Sequence, residues 1–409
     1  MEQIFDAKTQ RVPIKSWADD ADQETMRQAL NLANLPFVVS HVALMPDAHL
    51  GFGMPIGGVI AAEGVIVPNA VGVDIGCGVV AWNTGLDAGK LGPYLPDIIE
   101  TLYRNVPVGF KHRNPSQAQH LAKKWCPQFL DLLAGKSNPF LEVCVERGSR
   151  KAAGKSHGKI IEQIGTLGGG NHFIEVQVDP QGVAWMMLHS GSRNVGLQIN
   201  THFHRLARQL CQQAGTTPSD ASLSHLVLNS KEGQDYIAHM QFALDFARHN
   251  RHVMMRFCQD AVRQTPVGKA ASDGDDLINI HHNYAELEKH YGKKVWVHRK
   301  GATSARVGQL GIIPGSMGTK SYIVRGKGNA ESFSSCSHGA GRVLGRKEAK
   351  RKISLDRFRK SMEGVLFKCS PRHLDEAPDA YKNLDRVMAN QSDLVEIVTE
   401  LRPLAVVKG

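Results

Sequence analysis

The chain has 409 residues, of which 42% are hydrophobic and 22% are charged. This balance is ordinary for a globular protein and excludes a mainly disordered chain, a collagen and a disulfide-stapled miniprotein. The formal net charge is +10 and the sequence pI is about 9.2. An excess of positive charge favours a polyanionic partner, and nucleic acid is the first candidate.

The cysteines and the apolar segments indicate the cellular compartment. The seven cysteines lie far apart, which is typical of reduced thiols in a cytosolic protein, with one available as a metal ligand. The first twenty residues contain no apolar segment of the kind found in secretory signals. The most apolar stretch, 55–82, contains Glu63, Asn69 and Asp74 and is a poor membrane span. We therefore expect a cytoplasmic protein with no membrane partner.

The predicted elements follow in mixed order along the chain. Residues 22–34 carry apolar side chains at helical spacing, and Pro36 follows where a helix should have ended. Glycines inside the first apolar segments predict tight turns and close backbone approach. Residues 147–159 are basic and glycine-rich, which predicts an exposed loop, and 265–276 predict another loop. Apolar segments predict strands at 37–45, 57–67, 70–82, 183–191, 295–300, 321–326, 393–398 and 404–407. A basic helix is predicted to begin at 346–352.

Residues 231–264 predict one long helix with two different faces. The apolar stripe consists of Ile237, Met240, Leu244, Ala247, Met254, Cys258 and Val262. The opposite face is predicted to carry Arg248, His249, Arg251 and His252. Strands and helices do not alternate regularly along the chain, so the predicted fold class is α+β and not a doubly wound sheet.

Four glycine-rich or asparagine-rich turns carry side chains that bind metals. Asp74 and Cys77 lie three residues apart in GVDIGCG, and Asn171-His172 lies in GTLGGGNHFIE. His189 ends an apolar strand, and His282 lies in HHN after another. A single histidine after a strand is more often a hydrogen-bonded structural residue. Four such segments together favour one polar metal cleft, in which a thiolate could bridge two ions; from ligand softness alone, zinc or iron is expected.

A fifth segment, CSHGAGR, places His338 among small residues, which leaves room for a bulky ligand. A basic run from Arg342 to residue 360 follows it. Such a run is often only a solvated helix face, but beside a reactive histidine it favours a phosphate-binding track. The small-residue loop 314–318 offers backbone N–H groups suited to phosphate or sugar.

The ordered motifs MPDAHLG, GVDIGCG, GTLGGGNHFIE, LHSGSR, HHN, RKGA, IIPGSMG and CSHGAGR resemble the RtcB family of RNA ligases. The resemblance covers nearly the whole chain. It implies a single catalytic domain over 1–409, an α+β mixed-sheet fold of the RtcB type, and a deep di-metal cleft. One departure is Phe52, where some bacterial members have lysine.

The resemblance also implies an activity and its residues. Family members join RNA with a 3′-phosphate or 2′,3′-cyclic phosphate to RNA with a 5′-hydroxyl, using GTP and two Mn²⁺ ions. His338 would be the nucleophile that becomes guanylylated. The implied metal ligands are Asp74, Cys77, His172, His189 and His282, with Cys77 shared by both ions. The implied GTP and GMP contacts are Asn171, His172, Phe173, Ile174, Glu175, His282, Asn283, Pro314, Gly315, Ser316, Met317, Ser321, His338, Gly339, Ala340, Gly341 and Lys408. The implied RNA phosphate contacts are Arg193, Lys300, Arg342 and Arg346.

Other functions remain compatible with parts of this pattern. A metal-dependent phosphoesterase acting on RNA ends would need the metal cleft but no covalent histidine. A non-catalytic RNA-binding subunit would need only the basic surface, and a 3′-end guanylyl-capping enzyme would use the histidine without sealing. The sequence does not distinguish tRNA splicing from RNA repair, and it identifies no activating protein partner.

Overall fold

The strands form two large sheets in a computed structural model that describes residues 1–134, 160–274 and 277–409. The first sheet has six strands, which are antiparallel to their neighbours except for one parallel pair, Ile14–Ser16 with Val38–Phe52. In spatial order these strands are Glu2–Ile4, Ile14–Ser16, Val38–Phe52, Met54–Ala62, Lys293–Lys300 and Asn283–His290.

The second sheet curls until its edge strands, Leu277–His281 and Leu310–Ile313, lie against each other in a nearly closed barrel. Its strand order is Leu277–His281, Gly78–Asp87, Val183–Ser190, Phe173–Val178, Val395–Lys408, Ser321–Gly326 and Leu310–Ile313, with Leu366–Phe367 pairing in parallel with Val395–Lys408. Two short pairs join Val65–Ile66 to Leu226–Val227 and Ala302–Ser304 to Ser335–Ser337.

Helices cover the outside of this second sheet. The longest, Lys231–Arg263, packs Met254, Cys258 and Val262 against Trp82 and Leu188 in one hydrophobic core. Within the described ranges no helix combines the length and the apolar character needed to cross a bilayer. The other helices are Gln23–Ala33, Pro68–Val71, Ala88–Leu91, Leu95–Asn105, Pro115–Trp125, Pro127–Ala134, Asn194–Gln213, Arg346–Lys352, Leu355–Ser361 and Leu384–Ala389.

The structure confirms the α+β class and most of the predicted elements. The first predicted helix spans Gln23–Ala33, and the side chain of Asp22 caps it by accepting a hydrogen bond from the Thr25 N–H at 2.7 Å. The predicted strands at 183–191 and 321–326 form as Val183–Ser190 and Ser321–Gly326. The predicted loop at 147–159 lies outside the described residues.

Three predictions need correction. The segment 70–82 is a strand only from Gly78, because a short helix and a tight turn precede it. Gly76 in that turn has φ +76°, and a Cβ there would lie 2.9 Å from the Cβ of Ala247. The segments predicted as separate strands near the C-terminus belong to one strand, Val395–Lys408, which continues through a bulge. Arg251, predicted on the polar face of the long helix, is completely buried.

A buried ion pair fixes the segment that leads to His338. The guanidinium of Arg299 is fully buried and donates to Glu288 Oε1 at 2.5 Å, Ser335 Oγ at 2.8 Å and the Phe333 carbonyl at 2.9 Å. Although burial opposes it, the hydrogen bond from His290 and the charge of Arg299 lower the pKa of Glu288 to about 2. The hairpin strand that carries Arg299 is thereby tied to the strand that ends beside His338.

Arg299→Met should strongly destabilise the fold, because it leaves the Glu288 carboxylate buried without its partner. We expect the free energy of unfolding to fall by about 3–5 kcal/mol, measured by urea denaturation. The control is Arg306→Met, since Arg306 contacts the same carboxylate at 3.4 Å with its side chain 47% exposed. That substitution should cost less than about 1 kcal/mol. Equal losses in the two variants would contradict the structural role assigned to Arg299.

Candidate active site

Five predicted metal-ligating side chains converge where adjacent strands of the second sheet end. Asp74 and Cys77 lie in the turn before Gly78–Asp87, closed by a hydrogen bond from the Cys77 N–H to the Asp74 carbonyl at 3.0 Å. His172 directly precedes the strand Phe173–Val178, and His189 lies near the end of the neighbouring strand. The N–H of His282 donates to the Cys77 carbonyl at 2.9 Å, which brings the fifth side chain to the same place.

The five side chains form two groups that share Cys77. Asp74, Cys77 and His172 make one group, and Cys77, His189 and His282 make the other; within each, the ligand atoms lie within 4.8 Å of one another. The Cys77 Sγ is 3.5 Å from His172 Nε2 and 3.2 Å from His189 Nε2. The Nε2 atoms of His189 and His282 are 3.4 Å apart. These residues form a cluster that could hold a metal ion, and two ions bridged by the sulfur stay a prediction.

The hydrogen bond of the His172 imidazole is the one expected for a metal ligand. The Nδ1 of His172 donates to the Leu167 carbonyl at 2.9 Å, which leaves the Nε2 lone pair directed at Asp74 and Cys77. A ring nitrogen bonded to a carbonyl in this way orients a metal-ligating histidine. The Nδ1 of His282 is buried and has no hydrogen-bond partner among the described residues. The donor set therefore fits a cation.

The electrostatics of the cluster also favour a cation. Burial and the nearby carboxylate of Asp74 raise the pKa of Cys77 well above its usual value. Burial and neighbouring positive groups lower the pKa values of His189 and His282 well below the usual range. Neutral imidazoles are ready to bind a metal, and a bound cation would stabilise the thiolate of Cys77.

Arg251 supports this cluster, and our sequence analysis placed it on the wrong face. Its Nη1 donates to the carbonyls of Gly76 at 2.8 Å and Ser190 at 3.0 Å, and its Nε donates to Asn279 Oδ1 at 2.9 Å. One side chain thus ties together the turn before Cys77, the end of the His189 strand and the strand that leads to His281. Its spacing from Ala247, Met254 and Cys258 puts Arg251 on the apolar stripe of the helix. That spacing predicts a buried side chain.

His338 lies beside the cluster with one ring nitrogen fixed. Asp47, which is fully buried, accepts hydrogen bonds at Oδ2 from the His338 N–H at 3.1 Å and from Nδ1–H at 2.7 Å. This leaves Nε2 as the free lone pair of the ring. The ring centroids of His338 and His282 are 4.9 Å apart. Asp47 was missed in the sequence, although an acid in the buried strand Val38–Phe52 is a signal for such a partner.

A cavity of about 200 Å³ opens beside His338. Small-residue turns on both sides form its walls, and Lys408 reaches it from the end of strand Val395–Lys408. Predicted residues that line it are Asn171, Phe173, Pro314, Gly315, Ser316, Met317, His338, Gly339, Ala340, Gly341, Arg342, Arg346 and Lys408; His49, Ile56, His189, Glu376 and Tyr381 complete the lining.

Glu376 organises the charged side of the cavity and was not predicted. It accepts a hydrogen bond from Lys408 Nζ at 3.2 Å and from the Tyr381 hydroxyl at 2.7 Å. Arg342 and Arg346 also pair with Glu376. Although burial opposes it, the charges of Lys408 and Arg346 lower the pKa of Glu376 to about 2. Three predicted cationic residues are therefore held together at one wall by a single buried carboxylate.

A second buried carboxylate lies deeper, on the strand next to Lys408. Glu175 accepts a hydrogen bond from Gln177 Nε2 at 2.7 Å, and the same amide contacts Ser321 Oγ at 3.2 Å. Burial raises the pKa of Glu175 to about 8, opposed by the Gln177 hydrogen bond and the charge of Lys408. Ser321 also accepts from the Gly315 N–H at 3.1 Å, which connects this group to the cavity wall.

The remaining predicted residues have different positions. Arg193 lies at the metal cluster, with Nη1 3.4 Å from His172 Nδ1. Asn283 bridges two backbone groups, donating to the Asp74 carbonyl and accepting from the Gly301 N–H. The side chain of Ile174 is buried in the core behind the strand. Lys300 donates to the carbonyls of Phe52 and Asn69 and does not line the cavity. Its predicted RNA contact stays a prediction.

Comparisons with known proteins agree with the geometry. The sequence pattern of the family described as tRNA-splicing ligase RtcB matches residues 28–409. An RNA-splicing ligase RtcB from Escherichia coli strain K12 is 40% identical over 406 residues, covering 98% of both chains. A tRNA-splicing ligase RtcB from Pyrobaculum aerophilum is 34% identical over 465 residues, with 98% of this chain and 95% of that protein covered. A tRNA-splicing ligase RtcB from Thermococcus kodakarensis is also 34% identical, with 98% and 96% covered.

Cys77→Ser should weaken both groups of ligands together, because a serine hydroxyl stays protonated near neutral pH and bridges metals poorly. We expect calorimetric titration with a divalent transition metal to show loss of both binding events. The control is Cys258→Ser, since Cys258 is equally buried in the core but lies outside the cluster. Two ions bound at unchanged affinity by Cys77→Ser would contradict the shared-ligand arrangement.

Proposed function

Because the chain belongs to the RtcB family, we propose that it is a GTP-dependent and Mn²⁺-dependent RNA ligase. It would join 3′-phosphate or 2′,3′-cyclic phosphate ends to 5′-hydroxyl ends through guanylylated His338. The observation that carries this proposal is the position of His338. Its Nδ1 is bonded to Asp47, and its ring lies between a cavity of about 200 Å³ and the metal-ligand cluster.

The cavity suits a guanylate. In the turns 314–317 and 338–341, the N–H groups of Met317, Gly339, Ala340 and Gly341 have no acceptor among the described residues and can donate to phosphate or ribose oxygens. The Lys408 ammonium can donate to the O6 and N7 acceptors of guanine, and the Glu175 carboxylate can accept from its N–H groups. We propose that these two buried charges select GTP over ATP.

The proposed reaction has three substitutions at phosphorus. A 2′,3′-cyclic phosphate end would first be hydrolysed by water, which breaks the bond to the 2′-oxygen and leaves a 3′-phosphate. The His338 Nε2 attacks the α-phosphate of GTP, forming an N–P bond as pyrophosphate leaves. An oxygen of the RNA 3′-phosphate then attacks that phosphorus, and the His338 nitrogen leaves with its electron pair. The RNA 5′-hydroxyl finally attacks the activated 3′-phosphorus and GMP leaves. Asp47 holds the Nδ1 proton in each state, so that Nε2 stays the reacting atom.

Two Mn²⁺ ions held by Asp74, Cys77, His172, His189 and His282 would supply positive charge for the attacking and leaving oxygens. The choice of Mn²⁺ over zinc or iron rests on the family resemblance, since thiolate alone favours softer metals. Arg193, Arg342 and Arg346 would hold RNA phosphates around this centre. We further propose that 1–409 acts as a single catalytic domain in the cytoplasm.

The alternatives differ in how they use His338. A phosphoesterase acting on RNA ends would need the ligand cluster but would form no bond to this nitrogen. A 3′-end guanylyl-capping enzyme would form that bond and stop before sealing. Covalent labelling and sealing, measured separately, therefore distinguish the three functions.

His338→Asn should abolish labelling of the protein by α-³²P-GTP and abolish sealing, because no other side chain replaces Nε2. Folding and metal binding should persist, since His338 lies outside both ligand groups. The control is His120→Asn, a change at an exposed histidine on helix Pro115–Trp125, which should label normally. Retained labelling of His338→Asn would overturn the assignment of the nucleophile.

GTP affinity should fall as the pH falls below about 8. Burial raises the pKa of the Glu175 carboxyl to about 8 in the folded protein. The carboxyl must be ionised to accept hydrogen bonds from guanine, so below that pH it has to lose its proton before GTP binds. The dissociation constant should rise up to about tenfold per pH unit. Glu175→Gln should bind more weakly at pH 8.5 and lose this pH dependence. If GTP affinity depends on pH in the same way in the wild-type protein and in Glu175→Gln, Glu175 does not recognise the base.

A further inference from the structure

The helix Asn194–Gln213 connects the metal-ligand cluster to a surface groove. Just before it, the Ser192 N–H donates to Asp74 Oδ1 at 3.0 Å, and Arg193 contacts His172. At about 1.5 Å per residue, the helix carries the chain about 22 Å from Arg193 to Arg208. Leu197 is exposed along this path, and the groove begins at Thr201.

The groove has a volume of about 690 Å³ and a lining without carboxylates. Arg205 and Arg208 are exposed, and neither forms an ion pair or hydrogen bond with a described residue. The charge of Asp220 acts on His204 in this groove. The Asp220 carboxylate already accepts hydrogen bonds from the Ser222 N–H at 2.9 Å and the Ser222 hydroxyl at 2.6 Å. The other lining residues are Thr201, His204, Gln209, Gln212, Thr217, Ala221 and Ser224.

An exposed aromatic ring lies at one side of this groove. Phe52 is 61% exposed, and its ring meets the ring of His204 edge-on at a centroid distance of 6.1 Å. The ammonium of Lys300 donates to the Phe52 carbonyl at 2.7 Å and fixes the backbone there. Unpaired arginines next to a fixed, exposed ring form the combination that binds single-stranded nucleic acid through phosphates and base stacking.

The position of the groove relative to His338 indicates which RNA strand enters it. The imidazoles follow one another from His338 to His282, His189 and His172, with centroid separations of 4.9, 5.0 and 5.3 Å. The guanylate cavity lies at the His338 end, and the helix to the groove begins at the His172 end. In an in-line displacement the attacking hydroxyl approaches opposite the leaving group, which here is GMP.

We propose that the groove lined by Arg205 and Arg208, with the Phe52 ring beside it against His204, binds the RNA strand that carries the 5′-hydroxyl. This assignment rests on the proposed ligase activity and adds the surface that holds the second substrate. The strand would run from the metal cluster along Asn194–Gln213, with its first nucleotide at Arg193 and later phosphates at the two arginines.

The test separates the three reaction steps in the full-length protein. R205Q/R208Q should label with GTP and guanylylate a 3′-phosphate oligonucleotide at the wild-type rate. When the variant seals to a separate 5′-hydroxyl oligonucleotide of twelve nucleotides, the KM for that strand should rise about tenfold. The slope of log affinity against log salt concentration for that strand should become shallower by about 1.4, because two phosphate contacts are lost. Phe52→Ala should also raise this KM, without changing the salt slope.

Two controls make the outcome decisive. R104Q/R325Q removes the same charge from two exposed arginines on other elements and should leave all steps unchanged. A 5′-hydroxyl strand too short to reach the groove should seal equally with wild type and R205Q/R208Q. An unchanged KM for the long strand, or an equal loss in 3′-end guanylylation, would overturn the proposal. Absence of labelling in the wild-type protein would instead refute the ligase assignment itself.

Discussion

The buried thiol of Cys77 is the point on which the candidate active site depends. Its sulfur lies 3.5 and 3.2 Å from two imidazole nitrogens and belongs to both groups of ligands. A thiol in so buried a position is hard to ionise, and the adjacent Asp74 makes ionisation harder still. A cation reverses both effects, so the cluster has a physical reason to bind metal. The turns and strands around it bring five lone-pair donors to one place.

Buried cationic side chains hold these turns in position. Arg251 donates to two carbonyls at the strand ends that carry the ligands, and Arg299 ties a hairpin to the segment before His338. Lys300 joins the end of the strand Val38–Phe52 to the short helix Pro68–Val71 by donating to the carbonyls of Phe52 and Asn69. Backbone carbonyls in glycine-rich turns lack ladder partners, and buried cations satisfy them. Several basic residues of this chain therefore support the site from within.

The proposed reaction assigns the cavity beside His338 to the nucleotide and the distant groove to one RNA strand. His338 contacts Asp47 on one side and faces the cavity and the ligand cluster on the other. Glu376 pairs with Lys408, Arg342 and Arg346 at the cavity wall. In the distant groove, Arg205 and Arg208 form no ion pair with any residue that the structure describes. The basic residues at the cavity wall are paired with a carboxylate, whereas Arg205 and Arg208 are exposed. This difference indicates different roles for the two sets of residues.

The sequence by itself determined the α+β class, most helix and strand positions, and the residue types of the metal cluster. Local spacing suffices for these, since periodicity, caps and glycine-rich turns act over a few residues. It did not reveal Asp47, Arg251 or Glu376, whose partners lie far away in the chain: Asp47 meets His338 across 291 positions. Nor did it show that Arg342 and Arg346 pair with acids, or that Lys300 is turned away from the cavity. Only the tertiary structure decides such pairings, because burial and the distance between charges depend on which strands become neighbours.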